Sequence, residues 1–235
     1  MKASLLARVA VLVGLAILTF VQIGEARSVV LSHAPKPTQA WVKLTNCHYL
    51  QQDYNDGDSF HVRSGAQEFV FRLYFVDAPE IEQKPAGRGT WKPSDRSIEQ
   101  SKYFGVTVQQ NTKAGLEAKE FVERSLQRPF IIWTRWKSAM GMGHLPRYYA
   151  LIEVDGKSLA EELVKRGLAR AKGVVAILPE RTPAKSYMEK LRSLEAEARE
   201  KRRGIWAESS DPKPSGRRKA RTNSATSDKA GGLKL

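Results

Sequence analysis

Between residues 68 and 76 the chain alternates strictly, with Phe69, Phe71, Leu73 and Phe75 on one side and Val70, Arg72, Tyr74 and Val76 on the other. A period of two is a strand, and it places Arg72 on the face opposite Phe71 and Leu73. Phe60-His61-Val62 predicts a partner strand, and Ser64-Gly65 the hairpin turn between the two. Trp41-Val42-Lys43-Leu44 opens an earlier strand, and residues 130–136 and 148–154 predict a fourth and a fifth, the last followed by an Asp155-Gly156 turn. Helical spacing takes over elsewhere. Ala114, Ala118, Phe121, Val122 and Leu126 share one stripe; Leu159, Leu163 and Val164 mark a short helix closed by Gly167. A last helix opens at Pro183, turns Tyr187, Met188, Leu191, Leu194 and Ala198 inward, and ends by Gly204. Residues 81–105, with Pro85, Gly87, Gly89, Pro93 and Gly105, follow neither period and predict one long loop. Strands, a helix, strands and helices in that order predict a single α+β domain over residues 41–208, without internal repeats.

The ends of the chain differ from this body. Lys2 and Arg8 precede an apolar run over residues 9–20, and Gly24-Glu25-Ala26 has the small-x-small form of a cleavage site. Residues 1–26 therefore predict an export signal, and a secreted or periplasmic protein, since the run falls short of the roughly 20 apolar residues of a membrane span. An uncleaved membrane anchor is the other outcome. Residues 27–40, with Pro35 and Pro37, suit a linker. Residues 209–235 are rich in Ser, Pro, Gly, Lys and Arg, a composition that buries little apolar area and predicts a disordered basic tail.

The net charge is +14 over 235 residues. The tail holds seven Lys or Arg against two Asp, and residues 1–26 hold Lys2 and Arg8 against Glu25, so the body between them is basic as well. That balance points to a polyanionic partner. Cys47 is the only cysteine, which excludes an intrachain disulfide and a cysteine-built metal site. His48, His61 and His144 lack metal-ligand spacing and His33 lies in the linker, so the histidines read as structural or solvated. The tryptophans read mostly as core, Trp206 above all. Trp91 is the exception, because it sits among Lys84, Arg88, Lys92 and Arg96 in the long loop, where an aromatic ring could stack on a base.

Asp56-Gly57-Asp58-Ser59 leads into one strand of the hairpin, and the other strand runs out into Asp77-Ala78-Pro79-Glu80. Asp-Gly is an ordinary turn dipeptide and Val-Asp-Ala-Pro an ordinary strand end. Together they bring carboxylates to one end of a sheet, in the oxygen-rich company that Ca²⁺ prefers. Arg72 adds a cation, and Glu80 adds a base. Those are the parts for cutting a phosphodiester.

These motifs resemble the staphylococcal nuclease family. The likeness rests on Asp-Gly-Asp-Ser at 56–59, on Phe-Arg-Leu-Tyr-Phe-Val-Asp-Ala-Pro-Glu at 71–80, and on Arg147 followed by Gly156 and by a helix closing on Gly167-Leu168-Ala169. Gly204-Ile205-Trp206 resembles the family's close of its last helix. The resemblance implies an OB-fold, a five-stranded β-barrel with about three packed helices. It implies Ca²⁺-dependent hydrolysis of DNA and RNA at the 5′ side of the phosphate, by a monomer that needs no protein partner. Asp58 and Asp77 would be metal ligands with the backbone carbonyl of Ala78. Glu80 would orient or deprotonate the attacking water, and Arg72 and Arg147 would hold the phosphate. The chain departs from the family in having Ala78 for a threonine and Pro146 for the glycine before the second arginine. The family's downstream nucleotide-contacting tyrosines fall near Gly173 and Val175, which leaves stacking to Tyr148, Tyr149 or Trp91. Two classes of function stay open on the residues alone: a nuclease using all five side chains, and a noncatalytic OB-fold module that binds nucleic acid.

If the tail contributes to polyanion binding, deleting residues 209–235 weakens DNA binding and flattens its dependence on salt, because fewer counterions are released. The check is the slope of log affinity against log salt for full-length and truncated protein; an unchanged slope excludes the tail.

Overall fold

The computed structural model describes residues 35–82, 92–140 and 145–210. The expected export signal, most of the linker and nearly all of the basic tail lie outside the described residues, as do Lys84, Arg88, Trp91 and His144. Six strands appear: β1 Val42–Leu50, β2 Ser59–Ser64, β3 Gln67–Leu73, β4 Phe130–Ser138, β5 Arg147–Val154 and the two-residue β6 Lys157–Ser158. Among the described residues four helices accompany them, α1 Asp95–Phe104, α2 Val108–Ser125, α3 Leu159–Lys165 and α4 Ala184–Glu200, with a 3₁₀ turn at Gly204–Ala207.

The sheet order is β3-β2-β1-β4-β5-β6, and a further parallel pairing of β3 with β5 closes the first five strands into a ring. The five-stranded barrel of an OB-fold is thus present. Its filling follows from the alternation in the sequence: Phe69, Phe71 and Leu73 of β3 are buried, while Val70 and Arg72 are only partly so. On β5, Tyr148, Ala150 and Ile152 turn inward and Arg147 and Tyr149 outward. Phe60, Phe71, Ile132 and Leu163 are fully buried, each worth about 1.5–3 kcal/mol in apolar transfer. A second cluster, Phe104, Ala114, Ala198, Ile205 and Trp206, lies where α1, α2, α4 and the 3₁₀ turn converge, and it confirms Trp206 as core.

Three boundaries differ from expectation. β3 stops at Leu73, not Val76, because Phe75 adopts a positive φ of 71° and turns the chain off the sheet. That conformation costs an L-residue about 1–2 kcal/mol, and it is held by full burial of the ring against Tyr187 and by a hydrogen bond from Phe75 N to Val174 O. α2 begins at Val108, ahead of the apolar stripe, under a capping box made by Thr107 and Gln110. The largest correction is α1, which occupies the second part of the expected loop. Its signals were caps: Ser94 accepts from Ser97 N at one end, and Gly105 takes a left-handed conformation at the other. The apolar period is missing because the buried face is mostly polar, made of Ser97, Gln100 and Ser101 with Phe104.

Two small residues let α2 lie against the turns that carry the acidic side chains. A Cβ on Gly57 would stand 2.6 Å from the Ala118 Cβ and 2.8 Å from the Ala78 Cβ, and one on Gly115 would stand 2.5 Å from Pro79 O. Gly57→Ala should therefore destabilise the fold by about 1–3 kcal/mol, as overpacking does, and a urea unfolding midpoint equal to that of the wild type would contradict this packing.

Candidate functional site

Strand register sets the cationic half of the site. β3 and β5 pair in parallel with Val70 opposite Arg147 and Arg72 opposite Tyr149, while β2 sets Ser59 opposite Arg72. Ser59, Arg72 and Arg147 consequently share one outer face at one end of the barrel. Pro146 precedes the first residue of β5, where a missing N–H interrupts no ladder. Arg147 donates from Nε to Met140 O at 2.7 Å, from Nη2 to Ala139 O at 3.3 Å and from Nη1 to Ser59 Oγ at 3.4 Å. These acceptors are neutral. No carboxylate of the described residues forms an ion pair with Arg147, and burial, with the neighbouring Arg72, pushes its guanidinium below its ordinary pKa. It is a fixed cation that forms no ion pair among the described residues, with Asp56 and Asp58 acting on it only from a distance.

The acidic half comes from two turns. Asp56 Oδ1 accepts from Asp58 N and Ser59 N, which curls the Asp-Gly-Asp turn and points Asp58 inward at 2 % exposure. Asp58 Oδ2 accepts from Ala78 N and from Arg72 Nη2, each at 3.0 Å. Asp77 lies past the bend at Phe75, locked by reciprocal backbone bonds with Arg170: Asp77 N to Arg170 O at 3.1 Å and Arg170 N to Asp77 O at 3.0 Å. Its Oδ1 meets Arg72 at 3.3 Å and also Arg96, and its Oδ2 accepts from Gln100 Nε2 at 3.1 Å and Arg170 Nε at 2.9 Å. Glu80 completes the group, with Oε1 2.7 Å from Arg96 Nε. The structure thus brings Asp58, Arg72, Asp77, Ala78, Glu80 and Arg147 to one end of the barrel.

Several partners escape the pattern-based reading. Gln100 is fully buried and binds four groups at once: Asp77, the Ala78 carbonyl at 2.8 Å, Glu80 N at 2.7 Å and Asn111 Nδ2 at 3.2 Å. Arg170, 1 % exposed, joins Asp77 to Glu99, and its guanidinium lies 4.8 Å from the Tyr103 ring centroid. Arg96 falls in the stretch expected to be one long loop. Instead it starts α1 and turns back among Asp58, Asp77 and Glu80. Tyr148 is another correction: it packs with Phe69, Phe71 and Trp136 inside the barrel and is closed to a nucleotide. Tyr149 faces outward beside Tyr74, and Tyr54 is 86 % exposed in the turn leading to Asp58. His61 is structural, its Nδ1 2.8 Å from Asn55 Oδ1.

The electrostatics separate the three carboxylates. Burial alone would raise Asp77, but Arg96, Gln100 and Arg170 outweigh it and hold its carboxyl below the usual range. Asp58 is pushed up by burial and by the charge of Asp77, against the pull of Arg72. Glu80 is also pushed up, by burial first and then by Asp58 and Asp77, with Arg96 opposing. Among the described residues no three acidic, His or Cys side chains form a ready-made metal cage. The donor set nevertheless fits a hard cation. The hydrogen bonds to Asp58 fall on Oδ2, leaving Oδ1 without a partner among the described residues, and Asp77 Oδ1 meets only guanidinium groups. Ala78 O keeps one lone pair beyond its bond to Gln100.

A family model described as staphylococcal nuclease homologue matches residues 70–208, more than half of the chain. The matched span holds Arg72, Asp77, Ala78, Glu80 and Arg147 and also α1; Asp58 stands before it.

Because Arg170 is the buried cation between Asp77 and Glu99, Arg170→Met should cost about 3–5 kcal/mol of stability, the usual cost of stranding one partner of a buried pair. Chemical denaturation of the variant measures it; a loss under about 1 kcal/mol would mean that the bridge is dispensable.

Proposed function

We propose, from the premise that the chain belongs to the staphylococcal nuclease family, that it is a Ca²⁺-dependent endonuclease cutting DNA and RNA with little sequence preference. The family supports action on nucleic acid at large; calcium, endonucleolytic cleavage and export are our reading. The observation that carries it is Arg147, held by two backbone carbonyls beside Arg72 and lacking a carboxylate partner among the described residues. A half-buried guanidinium whose acceptors are all neutral gains by pairing with an anion. A phosphodiester oxygen is a fitting partner, and the forked guanidinium matches its geometry.

Asp58, Asp77 and the Ala78 carbonyl would hold the calcium ion. When bound, that ion polarises a phosphoryl oxygen and neutralises charge that develops on it. Arg72 and Arg147 hold the phosphate from the other side and stabilise the same charge in the transition state. Glu80, its carboxyl raised toward neutrality by burial, takes a proton from water as the water oxygen bonds to phosphorus. The bond from phosphorus to the 5′ oxygen breaks, that oxygen takes a proton from solvent, and the products are a 3′-phosphate and a 5′-hydroxyl. No step uses a 2′-hydroxyl, so both DNA and RNA qualify. Tyr54, 86 % exposed, is a described ring open to a base, and the partly buried Tyr149 presents an outward edge beside Tyr74. The segment 1–26 carries the protein out of the cytoplasm in this reading, and a monomer suffices.

The test is cleavage of denatured DNA in Ca²⁺ and in chelator, beside Glu80→Ala. Cleavage should require Ca²⁺ and fall by about 10²–10⁴-fold in the variant. DNA bound but left uncut under every condition would favour the noncatalytic binding module. Arg147→Lys keeps the charge but loses the fork, and kcat should drop by roughly 10²-fold or more; near-full activity would remove Arg147 from the phosphate site.

A further inference from the structure

Helix α1 puts a positive charge where the proposed function needs a metal ion. Arg96 is the second residue of that helix, with its side chain 39 % exposed, so it reaches the site from the solvent side. Its Nη2 pairs with Asp77 Oδ1 and stands 3.7 Å from Asp58 Oδ2, while its Nε stands 2.7 Å from Glu80 Oε1. One guanidinium therefore touches all three carboxylates of the site. Arg72 also spans Asp58 and Asp77, but at 13 % exposure it is anchored in β3 and cannot leave without breaking into the barrel wall. Arg96 can leave, because its contacts are side-chain contacts at the first turn of a surface helix. The start of that helix is fixed independently, by Ser94 capping Ser97 N and by Glu82 accepting from Ser94 N at 3.0 Å.

Charge accounting sharpens the point. Asp58, Asp77, Glu80 and Glu99 are matched in number by Arg72, Arg96, Arg147 and Arg170, so the guanidiniums already balance these carboxylates before a divalent ion arrives. Adding a dication beside Arg96 would bring two positive centres onto the same Asp77 oxygen, a close repulsion in a poorly hydrated setting. Removing Arg96 to solvent leaves Asp58 Oδ1 and the site face of Glu80 open to hard-cation ligation, and leaves Asp77 Oδ1 with only the 3.3 Å contact from Arg72.

We propose that Arg96 is an internal counter-cation that holds the metal position of the free protein, and that calcium binds by displacing it. The inference rests on the calcium reading above. It makes calcium affinity a difference between two cations competing for one set of oxygens. It also explains how the carboxylates stay folded together without metal: Arg96 suppresses their mutual repulsion.

The test is calcium titration calorimetry on the full chain without nucleic acid, comparing wild type, Arg96→Gln and the remote control Arg63→Gln. Arg96→Gln should bind calcium at least tenfold more tightly than wild type, and the control should match wild type. Melting completes the pattern: without calcium Arg96→Gln should melt below wild type, and calcium should raise its Tm more. Equal affinities in wild type and Arg96→Gln would overturn the displacement while leaving the nuclease reading intact. No calcium binding in either protein would overturn both. Should Arg96→Gln fail to fold, the wild type decides the matter by itself. With ¹⁵Nε-labelled arginine, the Arg96 Nε–H resonance should shift and exchange faster on calcium addition while that of Arg63 stays put; an unmoved Arg96 resonance in calcium-saturated protein would overturn the proposal.

Discussion

A carboxylate at 6 % exposure stays ionised only if other groups replace the water it has lost, and Asp77 has four that do: Arg72, Arg96, Gln100 and Arg170. Each comes from a different stretch of the fold or a different turn of it. Arg72 stands on β3, Arg96 and Gln100 on α1, and Arg170 just past the turn that closes α3. Satisfying this one group ties the barrel to the helices. β3 ends at Leu73 and the bend at Phe75 turns the chain off the sheet, which leaves Asp77 among these four groups. The strained backbone at Phe75 is tolerated for the placement it achieves.

The same convergence gives the site its two characters. On the barrel side, register places Arg72, Arg147 and Ser59 together, and the carbonyls of Ala139 and Met140 just past β4 fix the Arg147 guanidinium. On the helix side, the carboxylates depend on polar contacts from α1, through Gln100 above all. In the proposed reading one half suits a phosphate and the other a cation. Rigidity matters because donors act on a transition state only when already in position.

What the sequence made legible follows from what its patterns encode. Alternation over residues 68–76 placed Arg72 on the outer face, and the barrel core, the hairpin and Trp206 followed from apolar periodicity. Tyr148 could have been placed too: with Arg147 outward, its neighbour must turn inward, as Ala150 and Ile152 do. Helix α1 could not be seen that way, since a buried face of Ser97, Gln100 and Ser101 has no apolar period. Only its caps, Ser94 and Gly105, marked it. Arg170 directly follows Gly167-Leu168-Ala169, yet its partner Asp77 is ninety-three residues away, a pairing no local pattern announces. The site residues implied by family likeness converge in space, whereas the groups that support them, Gln100, Arg170 and Arg96, come from long-range contacts that leave no local pattern.

The most direct measurement is a crystal structure of Glu80→Gln, which slows turnover, with calcium and a short single-stranded deoxyoligonucleotide. The account predicts an ion bound by Asp58 and Asp77, a phosphate gripped by Arg72 and Arg147, and Arg96 turned away from the carboxylates. An oligonucleotide lying elsewhere on the basic surface, with Arg96 still among the carboxylates and no ion beside Asp58, would contradict it.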